Sequence, residues 1–174
     1  MVLLRPVESE DVGTLARLLA HPQLVGRRGL DRDRPVARSV ASIEKLVTDL
    51  VDPENGDAWV IDSDGVVGLA TCGWSWDAHT PWANVVIDPN HWRRGHGRKA
   101  ADAVLVHLFS NTVAHLVQYS VPSWDADGLS FADSLGGSRS GIRRRTGVRN
   151  GHYHDEVEFH LLRAEWEGRR AAGG

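Results

Sequence analysis

Residues 91–100 of the sequence, HWRRGHGRKA, place Gly95 and Gly97 among four cationic side chains, behind an apolar run and ahead of a helix-like pattern. Glycines let a loop turn its backbone N–H groups toward one point, and the helix that follows adds its positive N-terminal end. Arginine and lysine add full positive charges to those dipoles. The stretch therefore predicts a site for a phosphate-bearing ligand, and a diphosphate fits that geometry.

Two common phosphate-binding motifs do not explain this stretch. Gly95, Gly97 and Ala100 satisfy the dinucleotide pattern G-x-G-x-x-G/A, but residues 88–94 separate the first glycine from the preceding strand, and the required acid about twenty residues later is missing. A Walker loop needs Ser or Thr directly after Lys99. A charged loop ahead of a helix can also be a solvated cap without a ligand, so the order of the surrounding elements has to decide.

Length and composition limit the class of protein. With 174 residues, 41% of them apolar, and a formal net charge of −3, the chain is typical of one globular domain with a single core. This charge disfavours nucleic acid as a partner, because nucleic-acid binders usually carry a basic excess over the whole domain. Neither a signal peptide nor an apolar run of membrane-spanning length is present, so we expect a cytoplasmic protein without a membrane partner. The residue bias is compatible with a bacterial source.

Hydrophobic periodicity predicts two helices, an antiparallel meander, and then alternating elements. The predicted elements are helices at 9–20 and 40–50, strands at 58–61, 66–74 and 83–87, a helix from Lys99, a strand at 116–121, a short helix, and a hairpin of strands 141–148 and 156–162. Ser9 and Asp127 are the predicted N-caps of the first and the short helix, and Asn150-Gly151 is the hairpin turn. We assign one domain to residues 1–168 and expect residues 169–174 to form a frayed tail.

This order resembles the GCN5-related N-acetyltransferase (GNAT) superfamily, and within it the ribosomal-protein alanine N-acetyltransferases and their small-molecule relatives. The segments that carry the resemblance are LLRPVESEDVGTLARLLAHP (3–22), VVIDPNHWRRGHGRKAADAVL (85–105), SFADSLGG (130–137) and GIRRRTGVRNGHYHDEVEFHLLRAEW (141–166). It implies a single α/β (α+β) domain with a mixed, mostly antiparallel central sheet, a splayed strand pair and flanking helices. It also implies acetyl-CoA as co-substrate, a primary amine as acceptor and no metal, and it leaves a homodimer open.

The resemblance assigns the CoA site to the opening stretch and to the strand before it. Backbone N–H groups of the loop would hold the CoA pyrophosphate, and the strand would pair with the pantetheine arm. The residues so assigned to the pyrophosphate are Arg93, Arg94, Gly95, His96, Gly97 and Arg98. Val86 and Ile87 would flank the pantetheine.

The acid and base of many relatives are replaced in this sequence. Trp82 stands where many relatives carry a general-base Glu, and Ala132 stands where a Tyr often acts as general acid. An ammonium substrate must lose a proton before its nitrogen attacks the thioester, so a carboxylate or imidazole should reach it. The candidates are Asp77, His79 and Asp125, and each could instead be an ordinary loop or capping residue.

Several tryptophans are predicted at the acceptor end of the sheet. They are Trp74, Trp76, Trp82 and Trp124. Their rings could hold a cationic amine or an apolar side chain, and core packing is the alternative. The acceptor itself stays open between a protein N-terminal α-amine and a small-molecule amine such as an aminoglycoside or a polyamine, and a non-catalytic acyl-CoA-binding module is the rival to both.

Three further features suggest no separate function. Cys72 is the single cysteine, which excludes an internal disulfide, and its place in a strand predicts a buried small residue. His152 and His154 share a strand face but lack companions at metal-ligand spacing. The arginines of the closing hairpin could touch RNA or an acidic protein, but a solvated face is the commoner outcome.

Overall fold

The structure, a computed structural model, describes residues 1–27, 39–51, 56–74 and 77–172. Its strands are β1 (Leu3–Pro6), β2 (Gly56–Asp62), β3 (Val66–Gly73), β4 (Trp82–Ile87), β5 (Leu116–Pro122), β6 (Ser138–Arg149) and β7 (His152–Leu162). Its helices are α1 (Val12–Leu19), α2 (Val40–Thr48), α3 (His96–Asn111), α4 (Ala126–Leu135) and α5 (Arg163–Ala172). None of these helices is long and apolar enough to cross a membrane.

The strands form one mixed seven-stranded sheet with an opening at β4 and β5. The strand order is β1-β2-β3-β4-β5-β7-β6. Every neighbouring pair is antiparallel except β4 and β5, which run parallel and share one register pair, Trp82 with Gln118, among the described residues. Beyond that pair the two strands diverge toward their carboxyl ends. The α/β class, the mostly antiparallel sheet and the splayed pair are therefore confirmed.

Each face of the sheet carries its own apolar core. Helices α1 and α2 pack on one face through buried residues that include Leu15 and Ile43. Helix α3 packs on the other face, where Leu108 lies against Val117 of β5 and Leu161 of β7. Successive side chains of a strand point to opposite faces. The even-numbered residues of β4, β5 and β7 therefore lie on the α1–α2 face.

Two helix starts differ from the sequence prediction. Helix α3 begins at His96 rather than Lys99, because Gly95 takes a left-handed conformation with φ of 80° and serves as its N-cap. Helix α4 is capped by Asp125 rather than Asp127, and the Asp125 carboxylate accepts a hydrogen bond from the Gly128 N–H at 3.1 Å. Gly136, which is left-handed with φ of 88°, ends α4 as its C-cap.

The first helix also starts differently. Ser9 opens a short 3-10 turn over residues 9–11 and does not cap α1 with its side chain. The buried carboxylate of Asp11 closes a capping box on this 3-10 turn, because it accepts from the Glu8 N–H at 3.0 Å, and it also accepts from both terminal nitrogens of Arg5 at 2.7 Å. An ionised acceptor makes stronger hydrogen bonds than a hydroxyl.

The C-terminal segment is helical where the sequence predicts a frayed tail from residue 169. Helix α5 continues to Ala172, and residues 173–174 lie outside the described part. The guanidinium of Arg163 donates to backbone carbonyls at the end of α3, among them that of Thr112 at 3.1 Å. Arg169 donates to the carbonyl of Leu135 at 2.9 Å and to that of Gly136. These contacts stabilise a segment whose composition alone favours disorder.

Candidate active site

A cavity of about 770 Å³ lies where β4 and β5 diverge, with α3 and α4 beside it. Its wall contains residues 83–87 of β4 and 119–122 of β5. Of the residues that the resemblance assigns to CoA, the cavity is lined by Val86, Ile87, Arg93, Gly95, His96, Gly97 and Arg98. Arg94 does not line it. The cavity has the size of a ligand-binding cleft.

The loop ahead of α3 turns its backbone toward this cavity. Arg93 and Gly95 are left-handed, with φ of 62° and 80°. The Lys99 N–H donates to the carbonyl of the cap Gly95 at 3.2 Å, so the N–H groups of residues 96–98 have no acceptor within the helix. Helix α3 is 16 residues long, and its positive N-terminal end faces the same space. Such a terminus binds phosphate.

Gly97 lies inside the first turn of α3 with an ordinary helical φ. A Cβ at this position would lie 3.6 Å from Ile87 Cγ1 and 3.7 Å from Phe131 Cζ, which is normal van der Waals contact. The glycine is therefore not required by its backbone conformation. Because Gly97 has no side chain, a ligand in the cavity can approach the backbone of the first helical turn.

Two arginines of the loop region reach across to α4. Arg93 lies 2.7 Å from Asp127, and Arg98 donates to the Ser134 carbonyl at 2.8 Å while its Nε lies 3.1 Å from Asp102. These contacts hold the loop side of the cavity to the α4 side. Because all four side chains of the Arg93–Asp127 and Arg98–Asp102 pairs are exposed, each pair is weak on its own.

One of the three candidate bases lines the cavity. Asp125 is 5% exposed, caps α4, and pairs with Arg27 at 3.1 Å. Asp77 and His79 lie on the loop between β3 and β4 and do not line the cavity. The His79 N–H donates to Asp77 Oδ1 at 2.7 Å, and this bond, followed by that from Thr80, lowers the pKa of Asp77. The structure thus separates Asp125 from the other two candidates.

The tryptophans do not form one wall. Trp82 is 41% exposed at the junction of β4 and β5, and Trp74 donates its indole N–H to the Ala78 carbonyl at 3.1 Å. Trp124 lies past the opposite, carboxyl end of β5, with the guanidinium carbons of Arg27 and Arg149 at 5.2 Å and 3.6 Å from its ring. Its faces are occupied by the protein's own cations. Trp76 lies outside the described residues.

A polar surface on the α1–α2 side of the opening was missed by the sequence analysis. It consists of Asn84, Gln118, Ser120, Glu156, Glu158 and His160, which we call the polar face. Asn84 and Ser120 also line the cavity. Glu156 is 4% exposed and accepts from the Ser120 hydroxyl at 3.0 Å. The alternation of polar and apolar residues over 156–161 was the available signal, but it does not reveal which carboxylate is buried.

Arg143 balances part of the charge on this face. Its guanidinium donates to Glu156, and its Nε lies 2.9 Å from Glu158. Arg143 therefore contacts two carboxylates of the polar face, and the Ser120 hydroxyl connects Glu156 to the cavity.

Cys72 is buried on β3, as predicted. Only 2% of its surface is exposed, and burial raises the pKa of its thiol to about 12. The protonated thiol is a poor nucleophile. Within the described residues, no group of three or more His, Cys, Asp or Glu side chains is arranged to hold a metal ion.

Comparison with known proteins agrees with this geometry. The acetyltransferase (GNAT) domain family matches residues 1–129. The spermidine N-acetyltransferase of Vibrio cholerae, solved in complex with CoA and spermine, superposes with a TM-score of 0.81 at 17% identity, covering 95% of this chain and 98% of that one. A GNAT-family acetyltransferase of Bacillus anthracis gives 0.81 at 16% identity, covering 94% and 96%. A search of curated proteins found no significant sequence match.

These identities establish the fold and leave the ribosomal-protein subgroup unconfirmed. The family match covers most of the chain, including β1 to β5, α3 and the loop at 91–98. The chain therefore belongs to the GNAT family of acetyl-CoA-dependent N-acetyltransferases.

Proposed function

We propose that the protein transfers the acetyl group of acetyl-CoA directly to a primary amine that carries one positive charge, such as the N-terminal α-amine of a protein. The observation that carries this proposal is the cavity between the diverging strands, which ends at the N-terminus of α3. The N–H groups of residues 96–98 would hold the pyrophosphate. The pantetheine would extend along β4 past Ile87 and Val86, toward the junction at Trp82.

The acceptor would approach from the polar face. Asn84 and Ser120 belong to both the polar face and the cavity wall, so an amine bound on that face could reach a thioester in the cavity. The edge of β4 beyond Trp82 pairs with no described strand. Its backbone N–H groups are available to stabilise the oxyanion that develops on the thioester carbonyl.

The charges that line the cavity favour a monocation. The carboxylates among its described lining residues are Asp125 and Asp127, and each already pairs with an arginine, Arg27 at 3.1 Å and Arg93 at 2.7 Å. A polyamine or an aminoglycoside carries several ammonium groups and would need carboxylates beyond these. A protein α-amine or a small monoamine carries a single ammonium group and does not need them.

The proton of the acceptor has a path through Ser120. As the ammonium loses a proton to Ser120 Oγ, the hydroxyl proton of Ser120 passes along its 3.0 Å hydrogen bond to the carboxylate of Glu156. The freed nitrogen lone pair forms the N–C bond to the acetyl carbonyl carbon. The nitrogen then loses its second proton as the C–S bond breaks, and CoA leaves as a thiolate that takes up this proton. No acyl-enzyme is needed, consistent with the buried, protonated Cys72.

The test is release of CoA thiol from acetyl-CoA with a panel of acceptors. The panel contains a peptide with a free N-terminus, the same peptide with a blocked N-terminus, a small aromatic monoamine, spermidine and an aminoglycoside. We expect a higher kcat/KM with the free peptide or the monoamine than with either polycation. A preference for spermidine would contradict the charge argument. Binding of CoA without amine-dependent thiol release from any acceptor would favour the non-catalytic binding module.

A further inference from the structure

An arginine that contacts two tryptophan rings lines the cavity on the α1–α2 side of the sheet. The guanidinium carbon of Arg27 lies 5.1 Å from the ring centroid of Trp92 and 5.2 Å from that of Trp124. The Arg27 N–H donates to the carbonyl of Leu24, which is buried in the core of the α1–α2 face. Arg27, Leu24 and Trp92 all line the cavity. The guanidinium is therefore held on the side from which the acceptor is proposed to approach.

The hydrogen-bonding capacity of Arg27 is only partly used. A guanidinium has five N–H donors. Nη1 of Arg27 lies 3.1 Å from Oδ1 of Asp125, but that oxygen also accepts from the Gly128 N–H at 3.1 Å, so the carboxylate serves both the arginine and the cap of α4. The Arg27 Nε is buried without a hydrogen-bond partner. Because the side chain is 25% exposed, a ligand in the cavity can reach it and supply a further acceptor.

A second arginine adds positive charge at the same ring. The guanidinium carbon of Arg149, at the end of β6, lies 3.6 Å from the Trp124 ring centroid, and no carboxylate of the described residues pairs with it. Asp155 also borders Trp124, but its carboxylate accepts from a backbone N–H of β6 at 2.9 Å. Arg27, Arg149 and Asp125 together leave one positive charge. Guanidinium groups bind a carboxylate through a fork of N–H donors, and such a ligand would balance this charge.

The spacing along β5 sets the distance between this charge and the reacting amine. The amine is proposed to lose its proton at Ser120, and Pro122 lies two residues further along the strand, about 7 Å away at the usual rise per residue. The Pro122 carbonyl accepts from the Asp125 N–H at 3.0 Å, and Arg27 pairs with that aspartate. The α-amine of a peptide and the side-chain carboxylate of its second or third residue are separated by a similar distance.

We propose that Arg27 and Arg149 form an arginine subsite for a carboxylate of the acceptor, and that the preferred acceptor is a protein N-terminus with Asp or Glu as its second or third residue. The inference rests on the proposed function, which places the α-amine of such an acceptor at the polar face. The acidic side chain would lie against Arg27 in the cavity, and the charge of Arg149 would add to the attraction. An acceptor without a carboxylate does not use the arginine subsite, so changes around the subsite should leave the KM of such an acceptor unaltered.

The test compares two peptides of equal length with free N-termini, one with Asp and the other with Asn as the second and third residues. Thiol release from acetyl-CoA should give the acidic peptide a KM about tenfold lower at similar kcat, as expected for one charge-assisted contact. Arg149→Gln should reduce this difference by raising the KM of the acidic peptide. Arg144→Gln is the matched control, since it removes an exposed arginine of β6 and should leave the tenfold preference intact.

Arg27→Gln should raise the KM of the acidic peptide further than Arg149→Gln does. It also removes the partner of Asp125, so a thermal melt has to show that the variant folds. Equal KM values for the two peptides with the wild-type protein, or an undiminished preference in the folded variants, would overturn the arginine subsite while leaving the proposed function in place. A loss of CoA affinity in folded Arg149→Gln, measured by calorimetric titration, would assign the arginines to a CoA phosphate and overturn the subsite as well. Absence of thiol release with either peptide and with a small monoamine would overturn both proposals.

Discussion

The two sides of the β4–β5 opening are constructed in different ways. On the α3 side, the groups that we propose bind phosphate are backbone amides of consecutive residues, 96–98, positioned by the left-handed Gly95. On the polar face, the groups are side chains from three separate strands, including Ser120 and Glu156, which are 36 residues apart. A site made of consecutive backbone amides is encoded by one short stretch of the sequence. A side-chain site exists only after the strands have been brought into register.

The largest expected effect tests the backbone side. Gly97→Val should lower CoA affinity by at least about a hundredfold, because its branched side chain would fill the space through which phosphate approaches the amides. Gly13→Val is the matched control, since Gly13 is also helical and has room for a Cβ, with Glu44 Oε1 at 3.8 Å. Both variants should lose similar stability, and Gly13→Val should bind CoA normally in a calorimetric titration. Normal CoA binding by folded Gly97→Val would contradict the assignment of the loop.

The backbone side is also the part that could be read from the sequence. Glycines, arginines and a helix-like pattern within residues 91–105 predicted the loop and the helix, and of the six residues there that the resemblance assigned to the pyrophosphate, all but Arg94 line the cavity. The exception is informative. Arg94 is adjacent to the left-handed Arg93, and that backbone turn directs neighbouring side chains differently, which spacing alone does not encode.

The second prediction tests the polar face. Glu156→Gln should lower kcat roughly a hundredfold, as expected for loss of a general base, while CoA affinity stays unchanged. The glutamine keeps the size of the side chain and an oxygen that can accept from Ser120, so the fold should persist. Ser120→Ala should lower kcat as well, because it interrupts the same proton path.

The variant Asp125→Asn tests whether the general base is Glu156 or Asp125, the candidate that lines the cavity. Asp125 pairs with Arg27 and caps α4, so its replacement should lower the melting temperature clearly and lower kcat only slightly. The reverse pattern, with kcat lost in Asp125→Asn and retained in Glu156→Gln, would identify Asp125 as the base. His79→Ala should leave kcat unchanged in either case, because His79 does not line the cavity.

The polar face shows why the acceptor side escaped prediction. The sequence indicated a strand over 156–162, and alternation would place Glu156 and Glu158 on one face of it. Whether such a carboxylate is buried depends on the strands beside it, and here Arg143 and Ser120 come from two different neighbours. The predicted grouping of four tryptophans differs from the structure for another reason. It placed all four at one end of the sheet, but Trp82 pairs with Gln118 near the start of β5 and Trp124 follows the end of that strand.

A third prediction tests the aromatic part of the acceptor side. Trp82→Ala should raise the KM for the amine roughly tenfold, a loss of about 1–2 kcal/mol, because the exposed ring can bury apolar area and face the cation. Its melting temperature should change little. Trp124→Ala is the control, since that ring packs between Arg27 and Arg149 and should affect stability and not acceptor KM. If Trp82→Ala unfolds the protein or leaves KM unchanged, Trp82 has no part in acceptor binding.

The smallest expected effect concerns a side chain within the backbone site. His96 is the first residue of α3 and lines the cavity. Desolvation, followed by the positive charges of His91, Arg94 and Lys99, lowers the pKa of its imidazole below the ordinary value. At neutral pH the free protein therefore carries a neutral His96, and the proposed phosphate site would rely on backbone amides and arginines.

A bound pyrophosphate should favour the imidazolium and so raise the pKa of His96. Because that pKa is then higher in the complex than in the free protein, affinity should increase as pH falls through the pKa of the complex and level off below that of the free protein. We expect a severalfold gain between about pH 7.5 and 5.5. The titration should use 3′-dephospho-CoA, because a phosphate monoester itself titrates near pH 6. His96→Gln should bind with the same affinity at both ends of this range, whereas His91→Gln should move the gain to higher pH by removing a neighbouring positive charge. An equal gain in His96→Gln would show that the pH dependence arises elsewhere, and that the amides of residues 96–98 act without help from the His96 ring.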